Sequence, residues 1–408
     1  MRVLLICPGS AGNALPFAGL GATLAARGHE VILLGDRYLE ELSQRLGLGW
    51  APIQASDGPP VEGGWASSTP RLIRQLVRRS AAITRSTFRA IEALHLPGET
   101  VMAAQGWLFG ARIAQDRLGI PLATVHLQPM MFGRLHEPGG LPEPMGFALR
   151  WLRQRAILGL AQHSVGRDLN VFRRELGLPP VHSILEGWWR STQLVLAMFP
   201  SWFAQPRQDW PAQTILAGFP LFDELMPCAQ WGEMERFLAE GEPPIVFSQP
   251  SLIATGPRFF DTAAEITRRL GRRAILLSLK TEQDPPSLPE NVAYFGYVPL
   301  DRLLPHAAAV VHHGGMGTIA QALVAGVPQL TQPRFLDQHD NSRRLAALGV
   351  SRNLGRTGHR TGRMLRALEQ LISADAVGER CRHFAALSRS GNGLETAGSA
   401  LERLALHG

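Results

Sequence analysis

The chain has 408 residues, of which 45% are apolar and 18% are charged, a composition typical of a globular protein with room for two domains. No apolar run reaches the roughly 20 residues that a membrane-spanning helix requires. The formal net charge of +7 comes almost entirely from arginine, since Lys280 is the only lysine. Basic and aromatic residues do not alternate as they do in single-strand binders, so we do not expect nucleic acid as a partner.

Three cysteines are scattered along the chain without the spacing of metal ligands, namely Cys7, Cys228 and Cys381. This usage predicts no metal site and a reduced, cytoplasmic setting. Residues 2–7 already have the apolar pattern of a strand, so we expect no signal segment before them. The basic charge leaves open a peripheral contact with an anionic membrane.

Strands and helices alternate in the N-terminal part, which predicts a parallel, doubly wound sheet. Residues 3–7 are expected to form the first strand, 9–13 a glycine-rich turn, and the next residues a helix that ends at Gly28. The turn lacks the G-x-G-x-x-G spacing of a dinucleotide site, so close packing of the helix on the strand is the preferred interpretation. Further strands are predicted at 30–34, 100–104 and 122–126, with a helix over 110–118.

Two loops rich in glycine and proline, at 57–70 and 131–144, are expected to line a ligand crevice at the carboxyl ends of strands. An arginine-rich amphipathic helix at 71–94 is expected to dock on the sheet, with contact to a membrane surface as the alternative. A long helical region is predicted over 147–176.

Prolines become frequent after residue 200, which indicates a connection between two domains. We therefore predict domains over 1–205 and 244–385 with a linker at 206–243 between them. A second alternation of strands and helices begins at 245. The last segment, 386–408, is expected to form a helix that packs back on the N-terminal domain.

The stretch from Val310 to Asn341 carries the strongest chemical signal. A buried strand is predicted to lead into His312, His313 and the glycines of residues 314–317, after which helical spacing begins. A glycine-rich turn between a strand and a helix N-terminus lets backbone N–H groups and the helix dipole approach a phosphate. An ordinary tight turn is the alternative for the glycines alone.

A carboxylate and an amide, Asp337 and Gln338, follow a second short strand that is framed by Pro328 and Pro333. We expect the loop that carries them to return beside the glycine turn. A phosphate-binding loop next to a carboxylate and an amide is typical of a sugar-nucleotide site. Capping of the next helix is the alternative role for the pair.

The motif His312-His313-Gly314-Gly315-x-Gly317-Thr318, with Pro333-x-x-x-Asp337-Gln338-x-x-Asn341, resembles the donor signature of the family-1 nucleotide-sugar glycosyltransferases. The N-terminal Gly9-Ser10-x-Gly12-x-x-x-Pro16 fits the same group. The resemblance implies an α/β protein of GT-B fold, with two facing Rossmann-like domains and a C-terminal helix returning to the N-terminal domain. Domain 1–205 would then bind the acceptor, and domain 244–385 the donor.

The resemblance also implies roles for single residues. Tyr297-Val298-Pro299 would hold the base, His312 and the amides of residues 315–318 the diphosphate, and Asp337 with Gln338 the sugar hydroxyls. Neighbouring side chains on an extended chain point to opposite sides, so we do not expect both histidines to contact one ligand or to bind zinc. Pro250 replaces a glycine beside Ser251, which is expected to weaken a phosphate contact there. The expected donor-binding set is Ser251, Tyr297, Val298, His312, His313, Gly314, Gly315, Met316, Gly317, Thr318, Asp337 and Gln338.

A narrower similarity, to the rhamnosyltransferases of rhamnolipid synthesis, involves residues 202–204, 209–211 and 218–223. It implies inverting, metal-independent transfer of rhamnose from dTDP-rhamnose to a hydroxyalkanoyloxyalkanoate lipid, without a cofactor. It further implies peripheral contact with the inner membrane and an acyl-precursor synthase as a partner. Two other enzymes stay open: a UDP-glucose-dependent glucosyltransferase of a lipid, sterol or aromatic aglycone, and a nucleotide-sugar epimerase.

The expected catalytic base is replaced by an amide. In the family an Asp or His follows the N-terminal glycines, and here that position is Asn13, which has no useful basicity near pH 7. Three explanations are open: another base among His126, His136 and Glu137, an engineered Asp-to-Asn variant, or a donor- or lipid-binding protein without transferase activity. Asn13 and His312 are thus the catalytic candidates.

The acceptor is expected to be apolar, because aromatic residues and methionines lie on or near the predicted acceptor loops. The alternative is that these side chains belong to the core. The candidate acceptor-binding set is Gly12, Phe17, Trp107, His126, Met130, Met131 and Phe132, and Trp188 and Trp189 lie in the same predicted region.

Overall fold

Two parallel sheets, each flanked by helices, make up the computed structural model of the chain. The structure describes residues 1–53, 83–132, 159, 162–163, 165–223, 228–249, 257–278, 288–334, 336–355 and 361–407. The chain divides into two units, each with its own sheet. The first comprises Met1–Gly9, Pro16–Pro220 and Asn392–Gly408, and the second Ser10–Leu15 and Leu221–Gly391.

The first unit contains a seven-stranded sheet in the order β3-β2-β1-β4-β5-β6-β7, in which every pairing is parallel. Its strands are β1 Arg2–Ile6, β2 Glu30–Gly35, β3 Gly49–Pro52, β4 Thr100–Gln105, β5 Leu122–His126, β6 Leu194–Ala197 and β7 Thr214–Leu216. The central strands are continuous apolar runs that are buried on both faces, as expected for a parallel sheet covered by helices.

The second unit contains a six-stranded parallel sheet in the order β10-β9-β8-β11-β12-β13. Its strands are β8 Ile245–Ser248, β9 Ala274–Leu277, β10 Val292–Phe295, β11 Ala309–His312, β12 Gln329–Thr331 and β13 Ser351–Asn353. Alternate side chains of these strands enter two separate apolar clusters, one on each face of the sheet. The prediction of two Rossmann-like domains in an α/β fold is therefore confirmed.

The helices follow the strands in chain order. They are α1 Ala11–Ala26, α2 Leu39–Arg45, α3 over 83–94, α4 Phe109–Leu118, α5 over 165–175, α6 Trp231–Ala239, α7 Pro257–Leu270, α8 Leu300–Leu303, α9 Met316–Ala325, α10 Leu336–Ala347, α11 Thr361–Ser373, α12 Asp375–Arg389 and α13 Gly393–His407. In the described part of the chain, no helix has the length and apolar character needed to cross a bilayer.

The turn after β1 differs from its prediction. Helix α1 begins at Ala11, so Gly12 and Asn13 belong to the first helical turn, and only Gly9 and Ser10 of the predicted turn remain in the connection at 7–10. Gly9 has a φ of 130°, and its N–H donates to the Asp36 carboxylate at 2.5 Å. A glycine is required there because other residues rarely adopt this conformation.

The last helix belongs to the first unit, as the predicted fold expects. In α13, Glu402 accepts a hydrogen bond from Arg27 at 2.7 Å and lies 2.9 Å from His29 Nε2. Glu395 forms a second ion pair with Arg27. These contacts attach α13 to the end of α1.

Residues 206–243, predicted as a linker, contain regular structure. Strand β7 joins the edge of the first sheet through Val195 to Ala197, and α6 packs its buried Met234 into the core of the second unit. The prolines of this segment separate short elements, and the two units meet in sequence at Pro220 and Leu221.

Helices α3 and α4 approach closely at Gly110. A Cβ atom at this position would lie 2.7 Å from Thr87 Cβ and 2.9 Å from the backbone nitrogen of Phe88. Substitution of Gly110 by alanine is therefore expected to force the two helices apart.

We predict that Gly110→Ala lowers the melting temperature in thermal unfolding followed by circular dichroism. The overpacking cost, about 1–3 kcal/mol, should outweigh the gain in helix propensity, about 1 kcal/mol. Gly187→Ala is the matched control, because a Cβ atom there meets nothing within 4 Å. Equal melting of the two variants would contradict this account of the packing.

Candidate functional site

A tight loop connects β11 to α9 in the second unit. Gly314 has a φ of 89°, and Gly315 returns to an extended conformation immediately before the helix starts at Met316. A Cβ atom on Gly314 would lie 2.7 Å from Ser342 Oγ and 3.1 Å from the Gln338 carbonyl oxygen, both of which belong to α10. Glycine is thus required at position 314 for its conformation and for its close contact with α10.

A buried amide fastens the loop to α10. Asn341 is fully buried, and its Nδ2 donates to the Gly314 carbonyl oxygen at 3.2 Å. The two halves of the sequence motif are therefore joined within one unit, with the glycine loop on one side and the start of α10 on the other. This confirms the expectation that the second loop returns beside the first.

The start of α9 presents backbone donors. The first N–H groups of an α-helix have no partner within the helix, and the aligned peptide dipoles place about half a positive charge at this end. Gly317 is exposed and a Cβ atom on it would meet nothing within 4 Å, so a ligand can approach the backbone there. Met316 is buried and anchors the helix in the core.

His312 does not have the surroundings that the sequence predicted for it. It is buried, its Nδ1 accepts a hydrogen bond from the Gly314 N–H at 3.1 Å, and its Nε2 lies 3.1 Å from Gln329 Oε1. Burial, with a smaller effect of His313, lowers the pKa of His312 to about 3. Both ring nitrogens of His312 thus have hydrogen-bond partners within the chain, and the side chain orients the loop. The expectation that His312 binds the diphosphate is corrected accordingly.

His313 is the histidine that remains available. Its ring lies over Gly315, since a Cβ atom on that glycine would be 2.5 Å from His313 Nε2. Its Nδ1 is buried without a hydrogen-bond partner in the described part of the chain. Burial and then the charge of Arg334 lower the pKa of His313 to about 4, so the ring is neutral at pH 7 and has one N–H to donate.

Asp337 and Gln338 lie in the first turn of α10. Burial raises the pKa of Asp337, although the backbone N–H groups of Asp337 and Gln338 stabilise its carboxylate. Gln338 Oε1 accepts a hydrogen bond from the Arg334 N–H at 2.9 Å. The side-chain oxygens of both residues thus interact with backbone N–H groups at the start of α10, as in the capping role that was the alternative for this pair.

Tyr297 and Val298 connect β10 to α8. The Val298 side chain is buried in the core, so a ligand could use only its backbone groups. Tyr297 donates its hydroxyl to the Asp223 carbonyl oxygen at 3.3 Å. Ser251, the remaining residue of the expected donor set, lies outside the described residues.

The Asp223 carboxylate, to which the sequence analysis assigned no role, caps α8. It accepts the N–H of Leu300 at 2.5 Å and that of Asp301 at 3.4 Å. Burial raises the pKa of Asp223 to about 6, which outweighs these hydrogen bonds. This role could not have been predicted from the sequence, because Asp223 lies 77 residues before Leu300 and its desolvation depends on the tertiary structure.

Most of the predicted acceptor residues are buried in the first unit. Phe17, Met131 and Phe132 are between 1% and 5% exposed, which favours the alternative that these three side chains belong to the core. Trp107 is exposed, whereas Met130 is half-buried. Gly12 is exposed and Asn13 half-buried in the first turn of α1.

His126 does not suit the role of a general base. It ends β5, is 2% exposed and packs its ring against Phe132 and Trp189. Burial, followed by the charge of Arg190, lowers the pKa of His126 to about 3, so it is a weak base near pH 7. The other two candidate bases, His136 and Glu137, lie outside the described residues.

Comparisons with known proteins agree with this arrangement. Residues 269–390 match the family model of the erythromycin biosynthesis protein CIII-like C-terminal domain. The chain is 30% identical to glycosyltransferase GtfE of Amycolatopsis orientalis over 363 residues, which cover 86% of this chain and 85% of that protein. It is 28% identical to the O-mycaminosyltylonolide 6-deoxyallosyltransferase of Streptomyces fradiae, with the same two coverages.

A solved structure with a similar fold is that of the spinosyn rhamnosyltransferase SpnG complexed with thymidine diphosphate. The TM-score is 0.69 at 18% identity, and the match covers 97% of this chain and 98% of that one. At this level of identity the similarity establishes the fold.

We predict that the Asp223 carboxylate makes stability depend on pH. Its folded pKa of about 6 lies above the unfolded value, so its contribution is complete below about pH 4 and is lost as the pH rises through 6. The free energy of unfolding of the second unit should fall by about 2–3 kcal/mol over this range, and Asp223→Asn should remove this component. Denaturant titrations of both proteins at several pH values measure it, and parallel pH profiles would contradict it.

Proposed function

The chain belongs to the family-1 glycosyltransferases of GT-B fold, and we propose that it transfers a hexose from a nucleoside diphosphate sugar to a hydroxyl group of an apolar acceptor. The observation that carries this proposal is the loop at residues 313–318. There a neutral histidine and the free backbone donors of a helix N-terminus surround a glycine that α10 holds in place. Such a set of donors suits a diphosphate.

Each group of the loop has a separate proposed task. The N–H groups of residues 315–318 bind the phosphate oxygens, and His313 adds a side-chain donor. Asp337 and Gln338, at the start of α10, bind sugar hydroxyls. Tyr297 and the backbone of Val298 hold the base, on a loop fixed by Asp223.

The donor is proposed to be a deoxythymidine diphosphate sugar, with rhamnose as the hexose. Two similar proteins support this choice, because one is a 6-deoxyallosyltransferase and the other a rhamnosyltransferase seen with thymidine diphosphate. Rhamnose is itself a 6-deoxyhexose. A UDP-glucose donor is the alternative that a comparison of nucleotides would reveal.

The acceptor is proposed to be a hydroxyl-bearing natural product with a large apolar part. The names of two similar proteins refer to the vancomycin aglycone and to O-mycaminosyltylonolide as the molecules that are glycosylated. A hydroxyalkanoyloxyalkanoate lipid fits the same description, and with it come the proposed contact with the inner membrane and an acyl-precursor synthase as a partner.

Transfer is proposed to invert the anomeric configuration and to proceed without a metal, because fixed dipoles can stabilise the leaving diphosphate. Preorganised donors aimed at a developing charge are commonly the largest contribution to catalysis. The dipole of α9 and the His313 N–H would act on the same oxygen atoms. The acceptor must lose a proton in this step, and Asn13 cannot take it.

The amide at position 13 favours a second candidate function, that of a protein which binds the donor and acceptor without efficient transfer. Asn13 lies in the first turn of α1, where helix dipoles would stabilise a carboxylate. An aspartate at this position would be ionised near pH 7 and could accept a proton in the transition state, which an amide cannot do.

We predict that His313→Ala weakens binding of dTDP by roughly 10–100-fold, because it removes a hydrogen bond to a charged group. Isothermal titration calorimetry measures the affinity. His306→Ala is the matched control, since His306 is exposed ahead of β11 and outside the loop. Unchanged affinity in His313→Ala would contradict the assignment of His313.

We further predict that Asn13→Asp raises the single-turnover rate of sugar transfer roughly a hundredfold, which is within the usual contribution of a general base. Asn13→Ala should bring no gain. An unchanged rate in Asn13→Asp would show that the proton leaves by another route.

A further inference from the structure

Arg334, a residue to which the sequence analysis assigned no role, lies in the connection between β12 and α10. Its backbone N–H donates to Gln338 Oε1 at 2.9 Å. Gln338 also touches the glycine loop, because a Cβ atom on Gly314 would lie 3.1 Å from the Gln338 carbonyl oxygen and 3.5 Å from its Cβ atom. Gln338 therefore places the Arg334 backbone beside the loop of residues 313–318.

The guanidinium group of Arg334 is not engaged by the described part of the chain. The residue is exposed, and no carboxylate among the described residues forms an ion pair with it. Arg343 and Arg344 of α10, by contrast, both pair with Asp340. An arginine has five N–H donors and keeps its charge in proteins. The Arg334 side chain is thus a full positive charge whose donors are available to a ligand.

The charge of Arg334 acts on the buried His313 ring. Burial, and after it the charge of Arg334, lowers the pKa of His313 to about 4. A neighbouring charge has such an effect chiefly from about 4–6 Å, in agreement with the place of the Arg334 backbone beside the loop. His313 in turn lies over Gly315, the residue before the start of α9. Arg334, His313 and the N-terminus of α9 therefore belong to one site.

The groups assigned so far to the diphosphate supply only partial charges. The N-terminus of α9 amounts to about half a positive charge, and His313 is neutral at pH 7. A carboxylate, Asp337, lies in the first turn of α10, and its ionised form would repel a bound phosphate. A guanidinium offsets this repulsion, and its planar set of N–H groups matches two phosphate oxygens at once.

We propose that Arg334 binds the diphosphate of the nucleotide sugar and adds a full positive charge to the donor site. The inference rests on the proposed function, since it adds a residue to the same transferase site.

The charge of the diphosphate rises during transfer. The bond between the anomeric carbon and the diphosphate oxygen breaks, and its electron pair stays on that oxygen. The acceptor oxygen bonds to the same carbon and releases its proton to water. Because the diphosphate gains one negative charge, its contact with Arg334 strengthens as the bond breaks, which stabilises the leaving group.

Two opposing roles for the Arg334 side chain are a solvated surface charge and a support of the loop. In the first case Arg334→Gln would bind a nucleoside diphosphate as tightly as the native chain. In the second case the variant would also melt at a lower temperature without ligand. The hydrogen bond to Gln338 uses the backbone N–H, which a side-chain substitution leaves in place, so we expect unchanged melting.

The experiment is a calorimetric titration of the full-length chain with dTDP at several salt concentrations. We expect Arg334→Gln to bind dTDP roughly 10–100-fold more weakly, because it removes hydrogen bonds between charged groups. Arg334→Lys should keep part of the affinity. The affinity of the native chain should fall more steeply with salt than that of Arg334→Gln, since salt screens one more ion pair.

Arg343→Gln is the matched control. It removes the same charge from the same unit at an exposed position that is paired with Asp340, and a surface pair contributes little to stability. This variant should bind dTDP as the native chain does.

Equal affinities of Arg334→Gln and Arg343→Gln for dTDP would overturn the inference, as would a loss of affinity that comes with a lower melting temperature. Binding by the native chain tests the proposed function separately. If the native chain binds dTDP and Arg334→Gln binds it equally well, only the role of Arg334 is wrong. If the native chain does not bind dTDP, the proposed function fails and the inference fails with it.

Discussion

The contact between Gly314 and α10 is the constraint on which the donor half of the molecule depends. No side chain fits between this glycine and Ser342, and Asn341 ties the same peptide to α10 with a buried hydrogen bond. The loop therefore follows one path, which sets where α9 begins and where its N–H groups point. A loop fixed before the ligand arrives need not lose conformational freedom on binding.

The two adjacent histidines have different roles, because neighbouring side chains on an extended chain point to opposite sides. His312 is buried, and its ring nitrogens interact with Gln329 Oε1 and with the Gly314 N–H, so it fixes the position of the loop. His313 lies over Gly315 and remains neutral as a result of burial. The positive field at this site thus comes mainly from aligned peptide dipoles, with a neutral imidazole beside them.

The fold could be predicted from the sequence because parallel strands are continuous apolar runs and the helices between them follow regular spacing. The glycine motif also located the loop correctly. Which histidine is held within the chain could not be predicted, since Gln329, the partner of His312, comes from the neighbouring strand β12. Phe17 was placed in the candidate acceptor set although it is 1% exposed, because its burial depends on elements that are distant in sequence.

We propose above all that backbone amides of residues 315–318, with His313, hold the diphosphate of the donor. Amide hydrogen exchange of the full-length chain, measured by mass spectrometry with and without saturating dTDP, tests it most directly. We expect slower exchange in peptides that cover 313–318, 297–299 and 337–338, and unchanged exchange in the first sheet. Binding of dTDP without protection of residues 313–318 would contradict it.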